Sequence, residues 1–106
     1  MKPARFLGDS VERIREFPPK AKTEAGQQIY RVQCGFDPED WKPLKQVGPG
    51  VREIRIRDES GAFRIVYLAR MEDAVYVLHA FQKKSQATPQ CDLELAAKRL
   101  ADLKRK

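Results

Sequence analysis

Seven basic side chains crowd the middle of this 106-residue sequence: Arg52, Arg55, Arg57, Arg64, Arg70, Lys83 and Lys84. Guanidinium forks and ammonium point charges at that density suit a phosphate backbone. Arg55 and Arg57 are two apart in a run that sets Ile54 and Ile56 against Glu53, Arg55 and Arg57. In a strand, both arginines therefore point to one side. That side is either a phosphate-binding surface or a solvated strand face, with Glu53 among the arginines. Arg64 lies inside an otherwise apolar run, Phe63 to Ala69. A charge is costly to bury there, so Arg64 either pairs across a hairpin with Glu53 or Asp58 or opens onto a cleft. His79, between Leu78 and Ala80, is either a satisfied structural histidine or a proton carrier beside the basic groups. Phe81, on the same side of the strand, either stacks a base or belongs to the core. Lys83 and Lys84 follow where that run ends, as solvated surface or as an extension of the arginine row.

Other chemistries have no residues to perform them. There is no Ser-His-Asp arrangement, paired-carboxylate motif or phosphate-binding glycine loop. With one histidine and two cysteines, Cys34 and Cys91, without CxxC spacing, no zinc ligand set is present. The cysteines are expected to be plain thiols in a reducing compartment. A nuclease built from this inventory would use no metal and no cofactor. It would take the RNA 2′-hydroxyl as nucleophile, with a base for that proton, cations for the phosphate and an acid for the leaving oxygen. Arg, Lys, His and Tyr supply those groups, and DNA, lacking the hydroxyl, would not be cut.

The elements that must position these residues follow from periodicity. From Ser10 the pattern is helical, with Asp9 or Ser10 as N-cap and Val11, Ile14 and Phe17 at helical spacing. Pro18 and Pro19 end that helix, and a second, about Lys20 to Gln33, carries Ala21, Ala25, Ile29 and Val32 on one stripe. The stretch 35–50, rich in proline and glycine, excludes regular structure over most of its length; Trp41 and Leu44 are expected to tuck it onto the body. Val51 to Arg57, Phe63 to Ala69 and Ala74 to Phe81 read as three strands joined by short turns, an antiparallel meander. The second and third are apolar enough to be covered on both faces. Thr88 as N-cap and Pro89 at the first position open a last helix, with Leu93, Ala96, Ala97, Leu100 and Leu103 as its stripe.

The expected fold is α+β: one domain over residues 1–106, with a small curved antiparallel sheet of three or more strands. An N-terminal helical hairpin and a C-terminal helix pack on one face of it. Apolar residues make up 42% and charged residues 34% of the chain, and the formal net charge is +6. A basic domain of this size meets a polyanion or an acidic protein; charge alone does not choose between them. No apolar run approaches the roughly 20 residues needed to span a bilayer, and the first residues lack a secretory apolar stretch. A cytoplasmic location without membrane attachment is expected.

Several of these stretches, in this order and spacing, resemble the RelE/ParE toxin superfamily and its phage-derived HigB-like branch. They are Lys42-Pro43-Leu44-Lys45 with Gly48 and Gly50, Val51-Arg52-Glu53-Ile54-Arg55-Ile56, and Gly61-Ala62-Phe63-Arg64-Ile65-Val66-Tyr67. Leu78-His79-Ala80-Phe81-Gln82-Lys83-Lys84, running on to Pro89, is the most specific, and Leu95-Ala96-Ala97-Lys98-Arg99 follows it. The resemblance covers about Lys42 to Leu100. It implies a type II toxin that cuts mRNA without a metal, usually in the ribosomal A site, and so inhibits translation. It also implies a helix-turn-helix antitoxin that covers the basic groove or blocks ribosome entry, and through which the complex binds promoter DNA. Carried over by position, Arg64 matches the arginine that holds the scissile phosphate. Lys83 and Lys84 match the basic residues after the third strand, and Arg55 and Arg57 the first-strand basic positions that bind RNA. Tyr67 and His79 are further catalytic candidates, and Phe81 a further RNA-binding one. The alternatives are a ParE-like gyrase inhibitor, or a basic RNA-binding domain without catalysis. Lys45, Arg52 and Arg70 receive no role.

Overall fold

The computed structural model of the chain describes residues 1–84 and 89–105. Its elements are β1 (Ala4–Phe6), α1 (Ser10–Arg15), α2 (Pro19–Gln33), β2 (Trp41–Pro43), β3 (Val51–Asp58), β4 (Gly61–Leu68), β5 (Val75–Lys83) and α3 (Gln90–Lys104). The strands form one sheet in the order β1-β5-β4-β3-β2, with β1 parallel to β5 and the other neighbours antiparallel. The expected meander is its centre, β3-β4-β5. The edge strands β1 and β2 are three residues each, too short for alternation to register in sequence. Pro43 is tolerated in β2 because an edge strand has one side without a ladder.

Helices cover both faces, not one as expected. α1 and α2 bring Ile14, Phe17, Ala21, Ala25, Ile29 and Val32 onto Ile54, Ile56, Phe63, Ile65 and Tyr67. α3 sets Ala96 and Leu100 on the opposite face, with Leu44, Val47, Val66, Leu68, Tyr76 and Leu78. The reason lies in β4 and β5, which are apolar on both sides. Once the helix pair fills the first face, Val66, Leu68 and Tyr76 still need cover, at about 1.5–3 kcal/mol for each large side chain removed from water. A bulge helps: opposite Val66 and Tyr67 stand His79 and Val77, so Leu78 is the extra residue of β5. Both Leu78 and His79 thereby meet the α3 side.

Local signals mostly hold. Pro19 opens α2, and Asp9 takes the N-cap position of α1. The Asp9 carboxylate makes no capping hydrogen bond but binds Arg13 and Arg99 instead. Pro89 occupies the N-cap position of α3 rather than the first helical one; the Thr88 cap lies outside the described residues. Leu44 is buried and Trp41 half-buried, so the 35–50 stretch does fold onto the body. Arg52 explains how: its guanidinium lies 3.9 Å above the Trp41 ring and donates to Asp37 at 2.8 Å. No helix among the described residues is long and apolar enough to cross a membrane.

Candidate functional site

From α3 towards the β3–β4 turn, the second face is a lattice of cross-strand rows set by register: Lys42–Glu53–Val66–His79, then Arg55–Arg64–Phe81, then Arg57–Ala62–Lys83. Directly opposed residues on such a face stand about 5 Å apart and diagonal ones about 7–8 Å. Arg64 is therefore ringed by Arg55, Arg57, Lys83 and Glu53. The β3–β4 turn bounds the lattice. Asp58 accepts from the Ser60 backbone N–H at 2.7 Å, and Gly61, with φ of +136°, supplies a backbone shape that side chains disfavour.

At this end of the sheet lies a groove of about 570 Å³ lined by Arg57, Asp58, Glu59, Arg64, Lys83 and Lys84. The structure thus brings together Arg57, Arg64, Lys83 and Lys84, with Arg55 directly beside Arg64. A larger hollow, about 780 Å³, lies between α2 and β3. Its walls mix Lys20, Arg55 and Arg57 with Glu24, Glu39, Asp40 and Asp58, so its charge selects no phosphate.

Arg64 unites both readings of its sequence position. It is 2% exposed, its Nε stands 3.1 Å from Glu53 Oε1, and Nη1 donates to the Phe63 carbonyl at 3.0 Å. Yet it also lines the groove. Burial pushes its pKa down and Glu53 pulls it up, with Arg55 and Arg57 adding to the downward push. Lys83, half-exposed above it, is pushed below its ordinary value by desolvation, then by Arg64 and Lys42, with Glu53 opposing. A lysine so placed gives up its proton more readily than one on an open surface.

Three candidates stand apart from this cluster. His79 is fully buried beneath α3, its Nε2 2.6 Å from Asp92 Oδ1 and its Nδ1 3.5 Å from Arg99 Nη1. Burial lowers its pKa, Asp92 opposing. A neutral ring that donates from Nε2 to the carboxylate and accepts at Nδ1 satisfies both contacts. Phe81 stacks on that ring, centroids 5.3 Å apart, and is itself buried. It borders a separate hollow of about 350 Å³ that shares Lys84 with the basic groove. Tyr67 is 1% exposed in the core of the opposite face, beside Arg52, and burial raises its hydroxyl pKa. A side chain on the far side of the sheet does not reach Arg64's groove.

The sequence reading passed over Lys42, which the unrecognised β2 places opposite Glu53. It also passed over the Asp9–Arg99–Asp92 surroundings of His79. Arg99 reaches Asp9 at 2.7 Å across 90 residues, and no local pattern signals such a contact. Cys34 and Cys91 are both free and exposed.

A comparison with curated proteins finds no match. Among protein-family models, residues 12–101 match the family described as Phage derived protein Gp49-like (DUF891), a span that runs from α1 into α3 and contains every residue of the basic groove. With most of its length and its whole groove inside that match, the chain belongs to the Gp49-like family, a RelE-type toxin family of toxin–antitoxin systems within the RelE/HigB-like superfamily.

Proposed function

We propose that the chain is a HigB-like toxin that cleaves mRNA on the ribosome without a metal and so arrests translation. The observation that carries this reading is the convergence of Arg57, Arg64, Lys83 and Lys84 on one open groove. RelE-type toxins are in general endoribonucleases, and a cationic groove is what metal-free phosphodiester cleavage requires. The phosphate lies over Arg57 and Lys84, with the Arg64 guanidinium in the floor beneath it. Lys83, its ammonium destabilised by its neighbours, acts as the neutral amine and takes the proton of the 2′-hydroxyl, becoming ammonium. The 2′-oxygen bonds to phosphorus and the bond to the 5′-oxygen breaks. A protonated ammonium, assigned to Lys84, returns a proton to that oxygen. The products are a 2′,3′-cyclic phosphate and a 5′-hydroxyl, and every charge built on the phosphate is met by a fixed cation. His79 and Tyr67 take no part: one supports α3, the other the opposite core. Phe81 stays in the RNA-binding set only as the wall of the neighbouring hollow.

The partner is an antitoxin, as the family implies. Its helix-turn-helix character, and promoter binding through it, remain part of the proposal, as does a cytoplasmic site of action beside the ribosome. An acidic antitoxin segment laid over the groove would neutralise the same cations that RNA needs.

The test is purified protein with a translated message on ribosomes, in chelator. Cuts bearing 5′-hydroxyl ends, absent with a 2′-deoxy substitution at the cut site, support the reading. RNA retained with no scission would leave a binding domain, and intact RNA with inhibited gyrase would place the chain beside ParE.

A further inference from the structure

We infer that Glu53 is the positioning residue of the basic groove: a carboxylate sunk in the sheet that holds Arg64 in the floor and governs Lys83 without touching RNA. The inference rests on the nuclease reading for what the groove does, and on geometry for how it is held.

Glu53 is 0% exposed, and its partner Arg64 is nearly as deep, 3.1 Å away. On the lattice, Arg55 stands directly opposite Arg64, and Arg57 and Lys83 lie one row further on. The other nearby carboxylates have other partners: Asp40 stands 3.9 Å from Arg55, and Asp58 and Glu59, which also line the groove, bind Ser60 and Lys20. Glu53 is thus the carboxylate paired with Arg64, whose other charged neighbours on this lattice are the cations Arg55, Arg57 and Lys83. Without that negative charge, a guanidinium buried among like charges would be driven outward, into the space a phosphate needs. With it, Nε is held by Glu53 and Nη1 by the Phe63 carbonyl, so the fork's height in the groove is fixed.

Glu53 also acts on Lys83. It does so through Arg64, which is the diagonal neighbour of Lys83 across β4 and β5 and lines the same groove, together with Arg57, Lys84, Asp58 and Glu59. A guanidinium released from Glu53 and driven outward comes closer to the ammonium, so Lys83 loses its proton at lower pH.

The experiment compares the full-length chain with Glu53→Gln and Glu53→Asp. Thermal melting establishes folding. NMR of the lysine ε-methylene carbons follows the Lys83 titration, and single-turnover cleavage of a ribosome-bound message gives rate against pH. In E53Q, the Lys83 midpoint and the acidic limb of the rate profile both move to lower pH. The maximal rate falls on the order of 10–100-fold, as for a misplaced reacting group, while half-saturation stays near wild type. E53D keeps the charge on a shorter arm, so its midpoint moves less and its rate lies between the two. An unmoved Lys83 midpoint in folded E53Q overturns the proposal. If E53Q does not fold, an unmoved midpoint and a wild-type rate in E53D overturn it. Should the wild-type chain cut nothing, the nuclease reading fails by itself, and the Lys83 titration still decides whether Glu53 governs the groove.

Discussion

In the proposed mechanism the chemistry turns on Lys83 and Lys84, and neither belongs to the buried core. Replacing both by alanine should leave the melting temperature unchanged. It should reduce cleavage on the order of 10²–10⁴-fold, the range expected when a general base and its helper are lost. Initial rates on a ribosome-bound message would measure it. Arg64 behaves differently. Arg64→Ala breaks the buried ion pair with Glu53, and removing one member of such a pair costs about 3–5 kcal/mol. Urea titration should therefore show a large loss of stability, and loss of toxicity in that variant would not by itself identify a catalytic role. Tyr67→Phe should cut RNA at the wild-type rate, because the hydroxyl lies on the far face of the sheet. A large rate loss in a stably folded Tyr67→Phe would count against the groove assignment. Much of this was legible in the chain. An arginine inside Phe63–Leu68 announces a pair or a cleft, and here it has both. What sequence could not give was the side of the sheet on which Tyr67 ends, or that His79 would be sealed under a helix. Both depend on which face α3 chooses.

The element that makes that choice is α3, and its docking combines an apolar stripe with buried polar ties. Leu100 and Ala96 pack on the sheet, while Arg99 donates to the Leu78 carbonyl at 2.9 Å and to Asp9 at 2.7 Å. Hydrogen bonds from a charged donor contribute about 1.5–3 kcal/mol, so Arg99→Ala should lower stability by about that much. The His79–Asp92 contact adds a pH dependence with a definite sign. Burial holds the folded-state pKa of His79 below its ordinary 6.5, so between these values the unfolded chain binds a proton that the folded chain excludes. Stability is complete above about pH 6.5 and falls as pH drops through the folded-state value, by at most about 1.4 kcal/mol per pH unit. Asp9, held down to about 2 by hydrogen bonds from Arg99 and Arg13, acts only in a more acidic window. Denaturant midpoints at pH 7.5 and 5 should differ in the wild type and differ less in His79→Gln. The long elements were readable because β3, β4, β5 and the helices carry full periods. β1 and β2 were not, since three residues make no pattern. The one-face expectation failed because β4 and β5, apolar on both sides, demand a second cover.

At the scale of the whole molecule, a net charge of +6 is less informative than its placement. Four cations share one groove at the β3–β4 turn end of the sheet, while α3 packs further along the same face. If all four meet single-stranded RNA phosphates, log affinity should fall with log salt at a slope of about 3, and by roughly half that after Lys83→Ala/Lys84→Ala. Filter binding across a potassium chloride series would show it. The sequence announced this basic character, but the groove follows from the register of β3, β4 and β5, which sets Arg57, Arg64 and Lys83 at one end of the sheet. The most direct test of the nuclease reading is induction of the chain in bacteria with mapping of mRNA 5′ ends, beside the Lys83→Ala/Lys84→Ala variant. New ends within translated frames, lost in the variant, are the expected result; growth arrest with messages intact in both strains would contradict it.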